Sequence, residues 1–279
     1  MAFDLAKIEK HCRSHTEVRE WVREVLLFDR VDSTNRVALE LASQGLPGGV
    51  AILAEAQEKG KGRLGRSWFS PHGVNLYFSL LLRPYQPVRE FPLFSLATAV
   101  AVVDAIGKVT GLTAQIKWPN DILLDDKKVG GILLETESRG DQSPPLVVGV
   151  GLNVNIDSAD FPAELQGVAT SLKSLLGQPV DRSDLLIEIF NQLVQRYPLI
   201  ESEKARLFQQ LRERCQTLGK RVHVQTARQQ FEGWAEQVEE DGALVIRMGD
   251  RSLRRILVGD VTHLREVEDP FVDGKSSSV

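Results

Sequence analysis

Cysteine is nearly absent from this sequence: two residues in 279, Cys12 and Cys215, neither in a C-x-x-C pair. That pattern excludes a disulfide framework and a thiolate-built structural zinc site. Histidine is scarce too: His11, His15, His72, His223 and His263 are scattered, and none is assigned a catalytic or metal-ligating role. Basic charge is not in excess, with 34 Lys and Arg against 38 Asp and Glu, for a net charge of −4. A chain whose main task is coating nucleic acid carries the opposite balance, although a local basic site is not excluded. The N-terminal MAFDLAKIEKHCRS has no apolar signal core. No stretch reads as a membrane span, because 93–106 is interrupted by Ser95, Thr98 and Asp104. A soluble, cytoplasmic protein is the expectation, with no membrane partner. No internal repeat is present.

What remains is ordinary globular material, 42% apolar and 26% charged, enough to bury a substantial core. Residues 1 to about 24 read as polar helix, too short for a DNA-binding domain with its own core. VLLFDRV is strand-like, and DSTNRVALELASQG reads as a helix with a cap among Asp32, Ser33 and Thr34 and a stop at Gly45. Strand patterns follow in GGVAILAEAQ and GVNLYFSLLLRP, and 92–106 fits a buried helix. TAQIKWP, NDILLDD, KVGGILLETE and LVVGVGLNVNI read as further strands, with DDKK at 125–128 as a hairpin turn. Helices are expected over 181–197, capped by Asp181 or Ser183, and over 203–214. Near Cys215 the texture changes to short strands: KRVHVQ, FEGWAEQV, GALVIRM, RRILVGDV and HLREV. Five such strands in about 50 residues suggest a small β barrel. The domains expected are 1–214, 215–269 and a disordered tail at 270–279.

GKGRLG matches G-x-G-x-x-G at Gly60, Gly62 and Gly65. A dinucleotide fingerprint opens a helix after a strand, whereas here Pro71 and Gly73 follow and the next element is a strand. The kinase motifs H-R-D, D-F-G and V-A-I-K are missing, and so is a Walker loop. The physical content survives. Glycine permits close approach of backbone to a ligand. Lys61, Arg63 and Arg66 are spaced to surround one small anion, and Arg offers a planar fork for phosphate or carboxylate. Trp68 offers a face on which a base can stack. The alternative is a mobile surface loop with a solvated charge run. A loop this rich in glycine is expected to be disordered when empty, so binding must also order it.

Lys117, Trp118, Pro119, Asn120 and Asp121 form a second cluster at the end of a strand. Asn120-Asp121 can be a plain turn, and Trp118 reads as packing rather than ligand contact. Lys117 and Lys128 flank that turn, and Gly130-Gly131 allows close backbone approach. A partly buried lysine needs an anion beside it, and a substrate carboxylate or phosphate would supply one.

DSTN at 32–35, GKGRLGRSW at 60–68, KWPND with KKVGGILLE over 117–135 and VGVGLNVN at 148–155 stand in this order. Together they resemble the biotin–protein ligases, or biotin–[acetyl-CoA-carboxylase] ligases, over roughly 28 to 265. The resemblance implies an α+β fold: a mixed-sheet catalytic domain of the biotin/lipoate ligase type with a small C-terminal SH3-like β barrel. It implies activation of biotin by ATP with Mg²⁺ to biotinyl-5′-AMP, then transfer to a lysine of the biotin carboxyl carrier domain of acetyl-CoA carboxylase. With about 30 residues ahead of DSTN, the chain looks like the monofunctional form, with no DNA partner expected; a homodimer paired through sheet edges is compatible with the resemblance. Carried over by motif, Ser33, Thr34, Asn35 and Gln57 contact biotin or its surroundings, and Lys61, Gly62 and Arg63 lie over biotin and the adenylate. Lys128 and Lys117 hold carboxylate and phosphate oxygens. Arg63, Arg66, Trp68, Lys117, Asn120 and Asn153 serve the nucleotide. Asp121 either helps hold metal or receives a proton from the incoming lysine; no metal ligand is assigned. Lys61 departs from the family's usual arginine, which keeps the charge and loses the fork. Two other readings are a lipoate or octanoate–protein ligase or transferase, and a nucleic-acid binder using the loop and the terminal module.

Overall fold

The structure is a computed structural model, and it describes residues 2–137, 144–226, 229–257 and 259–264. Seven strands build a mixed sheet: β1 (Glu24–Val31), β2 (Val50–Gln57), β3 (Leu76–Leu82), β4 (Gln115–Lys117), β5 (Asp121–Leu124), β6 (Lys127–Thr136) and β7 (Leu146–Leu152). Their spatial order is β1-β2-β3-β7-β6-β5-β4. β1 runs parallel to β2, and every other neighbouring pair is antiparallel. The parallel pair needs a crossover, which α3 (Thr34–Ser43) supplies.

Alternation along the strands sorts side chains to two faces. Ala51, Leu53, Phe78, Leu80, Val148 and Val150 enter the large core. Val50, Ile52, Leu81 and Val147 point the other way, against Ala38 and Ala42 of α3. The large core is covered by α1 (Leu5–Ser14), α2 (Thr16–Trp21), α4 (Phe91–Thr110), α6 (Arg182–Arg196), α7 (Leu199–Ser202) and α8 (Lys204–Arg214), while the short α5 (Leu172–Leu176) follows β7. The N-terminal helices bury Ile8, Cys12 and Val18 in that same core rather than in one of their own.

Residues 88–110, which contain α4, are long and apolar enough to cross a membrane, contrary to the reading of 93–106 alone. The helix is instead the centre of the core, buried along most of its length. Thr98 and Asp104 are satisfied internally: the Thr98 hydroxyl bonds the Phe94 carbonyl at 2.6 Å and the Tyr197 hydroxyl at 2.9 Å. Asp104 receives Arg196 and Arg214.

Local signals account for most boundaries. Asp181 caps α6 by accepting from the amides of Ser183 and Asp184. Asp125 and Asp126 both take positive φ in the two-residue turn between β5 and β6, the backbone that a tight hairpin requires. Ser33 occupies the N-cap of α3, but its side chain makes no capping bond; Gln57 accepts from the Thr34 amide at 2.9 Å instead.

A separate antiparallel sheet holds β8 (Arg221–Gln225), β9 (Gln230–Val238), β10 (Leu244–Arg247), β11 (Leu253–Ile256) and β12 (Asp260–His263), in the order β11-β10-β9-β8-β12. RRILVGDV, read as one strand, is divided: β11 pairs with β10 at one edge and β12 with β8 at the other. HLREV begins inside β12; its end, and the expected tail at 270–279, lie outside the described residues. Trp118 joins the two sheets. Its amide donates to Thr217 Oγ1 and its indole N–H to the Gly242 carbonyl, both at 3.0 Å, with the ring buried as packing.

One charged pair is deeply enclosed. Arg182, at the start of α6, donates through Nη1 to Glu55 Oε2 at 2.8 Å and to the Asn75 carbonyl at 2.9 Å. The Phe3 ring lies 4.1 Å from the Arg182 guanidinium carbon. Glu55→Ala should therefore take the carboxylate away from a buried cation. Because the Asn75 carbonyl remains, a loss of about 3 kcal/mol is expected, the low end for a broken buried pair. Urea unfolding measures it, and a loss below about 1 kcal/mol would contradict the burial argument.

Candidate functional site

Glycine leaves bare patches on the α3 face of the mixed sheet. Where β7 turns Val147 toward α3, the next two residues on that face are Gly149 and Gly151. A β-carbon at 149 would lie 2.1 Å from Asn35 Oδ1, and one at 151 would lie 2.4 Å from Trp68 Nε1. A β-carbon at Gly131 of β6 would lie 3.4 Å from a carbon of the same indole. Two side chains thus lie directly on backbone, with a cavity of about 780 Å³ beside them.

Every residue given a ligand-contacting role from the motifs lines this cavity: Ser33, Thr34, Asn35, Gln57, Lys61, Gly62, Arg63, Arg66, Trp68, Lys117, Asn120, Asp121, Lys128 and Asn153; Gly60, Gly65 and Gly130 do not. The α3 end is rigidly wired. Ser79 Oγ donates to Asn35 Oδ1 at 2.6 Å and contacts Thr34 Oγ1 at 2.7 Å. Asn35 Nδ2 donates to Glu135 Oε2 at 2.8 Å. Gln57 accepts from Thr34 and donates to Ser70 Oγ at 3.0 Å. Asn35 and Gln57 are therefore committed to the frame. Asn153 is likewise held, donating to the Thr170 carbonyl at 3.1 Å.

The glycine loop is folded rather than loose, which corrects the expectation from its composition. Lys61 and Ser67 form an antiparallel bridge, Gly62 N donates to the Arg66 carbonyl at 2.7 Å, and Trp68 N donates to the Gly60 carbonyl at 2.8 Å. Gly65, at φ +74°, and Leu64, at φ +56°, turn the tip. Gly60 is required, because a β-carbon there would meet the Trp68 carbonyl at 2.5 Å. Guanidiniums fasten the tip: Arg63 donates to Asn120 Oδ1 at 3.0 Å and to the Gly259 carbonyl at 3.3 Å, and Arg66 pairs with Asp260.

Opposite the loop, β4 and β5 present Lys117 and Asp121 across one rung, and β6 adds Lys128. Lys128 Nζ lies 2.6 Å from Asp121 Oδ1 and 5.4 Å from the Trp68 ring centre. Lys117 makes no ion pair among the described residues. Burial pulls its ammonium below the usual lysine range; Asp121 opposes that pull and Lys128 adds to it. Arg63 is lowered mainly by burial, against the pull of Asp260 and Asp121. Six cationic side chains line the cavity (Lys61, Arg63, Arg66, Lys117, Lys128, Lys220) against three carboxylates (Asp121, Asp126, Asp260). The chain as a whole is acidic, so the positive excess here is a local device for anions.

Sequence reading missed the second sheet's share of the wall: Lys220, Asp260, Thr262 and His263. It also missed Ser79 and Glu135, whose partners lie 44 and 100 residues away along the chain. Among the described residues no cluster of three or more His, Cys, Asp or Glu side chains forms a metal site. Three carboxylates dispersed among cations instead suit an ion that arrives on phosphate oxygens and takes one or two protein ligands.

His263 Nε2 lies 3.1 Å from Thr217 Oγ1. Burial, then Lys117 and Lys220, push its imidazole down to about 4, against the opposing pull of Asp126. The unfolded chain takes up this proton near pH 6.5 and the folded chain only near 4. Stability linked to His263 is therefore complete above pH 6.5 and falls as pH drops through the window to 4. An NMR titration should place the His263 midpoint below that of a free imidazole, and His263→Gln should flatten the stability profile over this window. An ordinary midpoint would contradict the enclosure.

A family model described as the biotin/lipoate A/B protein ligase family matches residues 27–153, and one described as the biotin protein ligase C-terminal domain matches 217–264. A bifunctional ligase/repressor BirA of Bacillus spizizenii is 34% identical over 234 residues, covering 84% of this chain and 72% of that protein. A biotin–[acetyl-CoA-carboxylase] ligase of Paracoccus denitrificans is 35% identical over 232 residues, covering 79% of this chain and 93% of that one. A structure of biotin protein ligase from Aquifex aeolicus in complex with biotin and ATP aligns with a TM-score of 0.74 at 29% identity, over 87% of this chain and 99% of that one. The Paracoccus and Aquifex proteins are named for biotin, and the lipoate or octanoate reading is not favoured.

Proposed function

The chain belongs to the biotin protein ligase family, and from that premise we propose that it joins biotin to a lysine of a biotin carboxyl carrier domain at the expense of ATP. The observation that carries this reading is the single cavity in which all four motifs meet, with a positive excess and a bare glycine floor. Its volume, about 780 Å³, falls in the range of sites that enclose a cofactor-sized ligand.

Two anions must be brought together in the first step. A biotin carboxylate oxygen attacks the α-phosphorus of ATP, and the bond to the bridging oxygen of pyrophosphate breaks. Lys117 and Arg63 lower the repulsion between the reactants and stabilise the charge that builds on the phosphate. Ser33 and Thr34, at the N-terminal end of α3, would take the biotin ring system, and Trp68 the adenine. Lys128 reaches carboxylate and phosphate oxygens by exchanging its partner Asp121. Magnesium bound with ATP would neutralise phosphate charge, and Asp121 is the carboxylate that would hold it. In the second step a carrier lysine nitrogen attacks the acyl carbon, the acyl–phosphate bond breaks, AMP leaves, and the amine gives up its proton.

The loop has a further duty, to keep water from the acyl-adenylate until the acceptor comes. Incubation with biotin, Mg·ATP and a carrier domain should add one biotinyl group to one acceptor lysine, read by mass; no addition overturns the proposal. Lys117→Gln should lower the rate of biotin-dependent ATP–pyrophosphate exchange by about 10²- to 10³-fold, the scale of losing one preorganised electrostatic partner. Arg63→Gly should release the adenylate and label unrelated proteins. Unchanged retention would contradict the shielding role.

A further inference from the structure

We infer that Asp260 of the C-terminal sheet is a positioning residue that latches the glycine loop shut, by holding Arg66 while the adjacent Gly259 carbonyl holds Arg63. The inference rests on the ligase reading for its consequence in catalysis, but not for the latch itself.

The loop's own hydrogen bonds fold it into a hairpin without fixing where that hairpin points. The Trp68 indole seats the hairpin's base against the Gly151 backbone, and three contacts fasten its tip. Arg63 to Asn120 stays within the mixed sheet's side of the cavity. The other two cross the cavity to consecutive residues of the second sheet, Gly259 and Asp260, at the start of β12. The chain separation is nearly 200 residues, 196 and 194, so the latch joins the two sheets over the site. The two crossing contacts differ in kind. A backbone carbonyl cannot be altered by a side-chain change, whereas the Asp260 carboxylate is an anion already in place among cations that a substrate phosphate also seeks.

Arg66 is mostly solvent-exposed, with 68% of its side chain accessible, while only 24% of Asp260 is. Asp260 is thus the fixed half of the pair and Arg66 the half that swings with the loop. An exposed pair is weak enough to open on each turnover and strong enough to bias the closed form. A phosphate that captures Arg66 must displace Asp260, so closure over nucleotide and release from it share one guanidinium.

The test compares wild type with Asp260→Asn, Asp260→Glu, Arg66→Gln and the Asp260→Asn/Arg66→Gln double variant. In ligand-free protein, amide exchange over 60–68 should speed up about two- to fivefold in Asp260→Asn, the scale of one exposed ion pair. Glutamate should restore protection, and the double variant should be no faster than either single one. With biotin and Mg·ATP, release of the adenylate should rise by a similar factor in Asp260→Asn. A residue that merely stabilised the second sheet would lower its unfolding midpoint without coupling to Arg66. Unchanged exchange in Asp260→Asn, or additive effects in the double variant, overturns the latch. Failure to form adenylate in wild type would overturn the ligase reading alone, since the ligand-free exchange still decides the latch.

Discussion

Close approach of side chains to bare backbone is the constraint from which the site follows. Asn35 and Trp68 occupy space that a β-carbon at 149 or 151 would fill. If the indole were lifted off the strand, the loop that carries it could not fold over the cavity on the same side as Lys117 and Lys128. The glycines are therefore not a flexible element here; they lie in regular strands, paired on both sides. Their cost to strand stability is offset by Val148, Val150 and Leu152 on the opposite face, each buried in the large core. One alternating segment thus supplies both an adhesive face and a ligand-facing one.

Rigidity is then distributed unevenly around the cavity. The α3 end is held by short hydrogen bonds that tie Asn35 to Ser79 of β3 and Glu135 of β6, the strands on either side of β7. Such a buried polar network fixes one arrangement because each member is satisfied. The loop opposite rests on a few guanidinium contacts at its tip, two of them to the other sheet. A frame of this kind can bind the small substrate in a preset pose while the cover moves, which suits a reaction whose intermediate must be retained and then surrendered.

Much of this was legible in the sequence, and the rest was hidden for identifiable reasons. The strands, the α6 cap at Asp181 and the Asp125-Asp126 turn follow from local pattern, and all appear close to where the pattern put them. The motif residues were legible because chemistry-bearing types cluster within short windows. Ser79 was not, since a serine in an apolar strand has no signal until its partners are known. The second sheet's wall was hidden for a different reason. RRILVGDV reads as a single strand, and only its division between β11 at one sheet edge and β12 at the other brings Asp260 to the cavity wall. The loop misled in the opposite direction, because composition argues for disorder while its internal hairpin bonds and arginine anchors depend on geometry.

Charge balance explains how a site this positive holds together. Six cations gathered without counterions would repel one another strongly in a half-buried cleft. The three carboxylates are spread so that each answers one cation: Asp121 with Lys128 at 2.6 Å, Asp126 with Lys220 at 4.0 Å, and Asp260 with Arg66. Lys117 and Arg63 keep no carboxylate of their own among the described residues, and both are held down by burial. Of the three cations without a carboxylate, Lys61 is exposed and these two are half-buried, where an incoming phosphate gains more from the charge. The neutralised cations can join by exchanging one anion for another, a substitution that costs little because the protein's carboxylate returns to solvent as the ligand's oxygen takes its place. A site built this way attracts its substrates with a few committed charges and lets them go by restoring its own internal pairs.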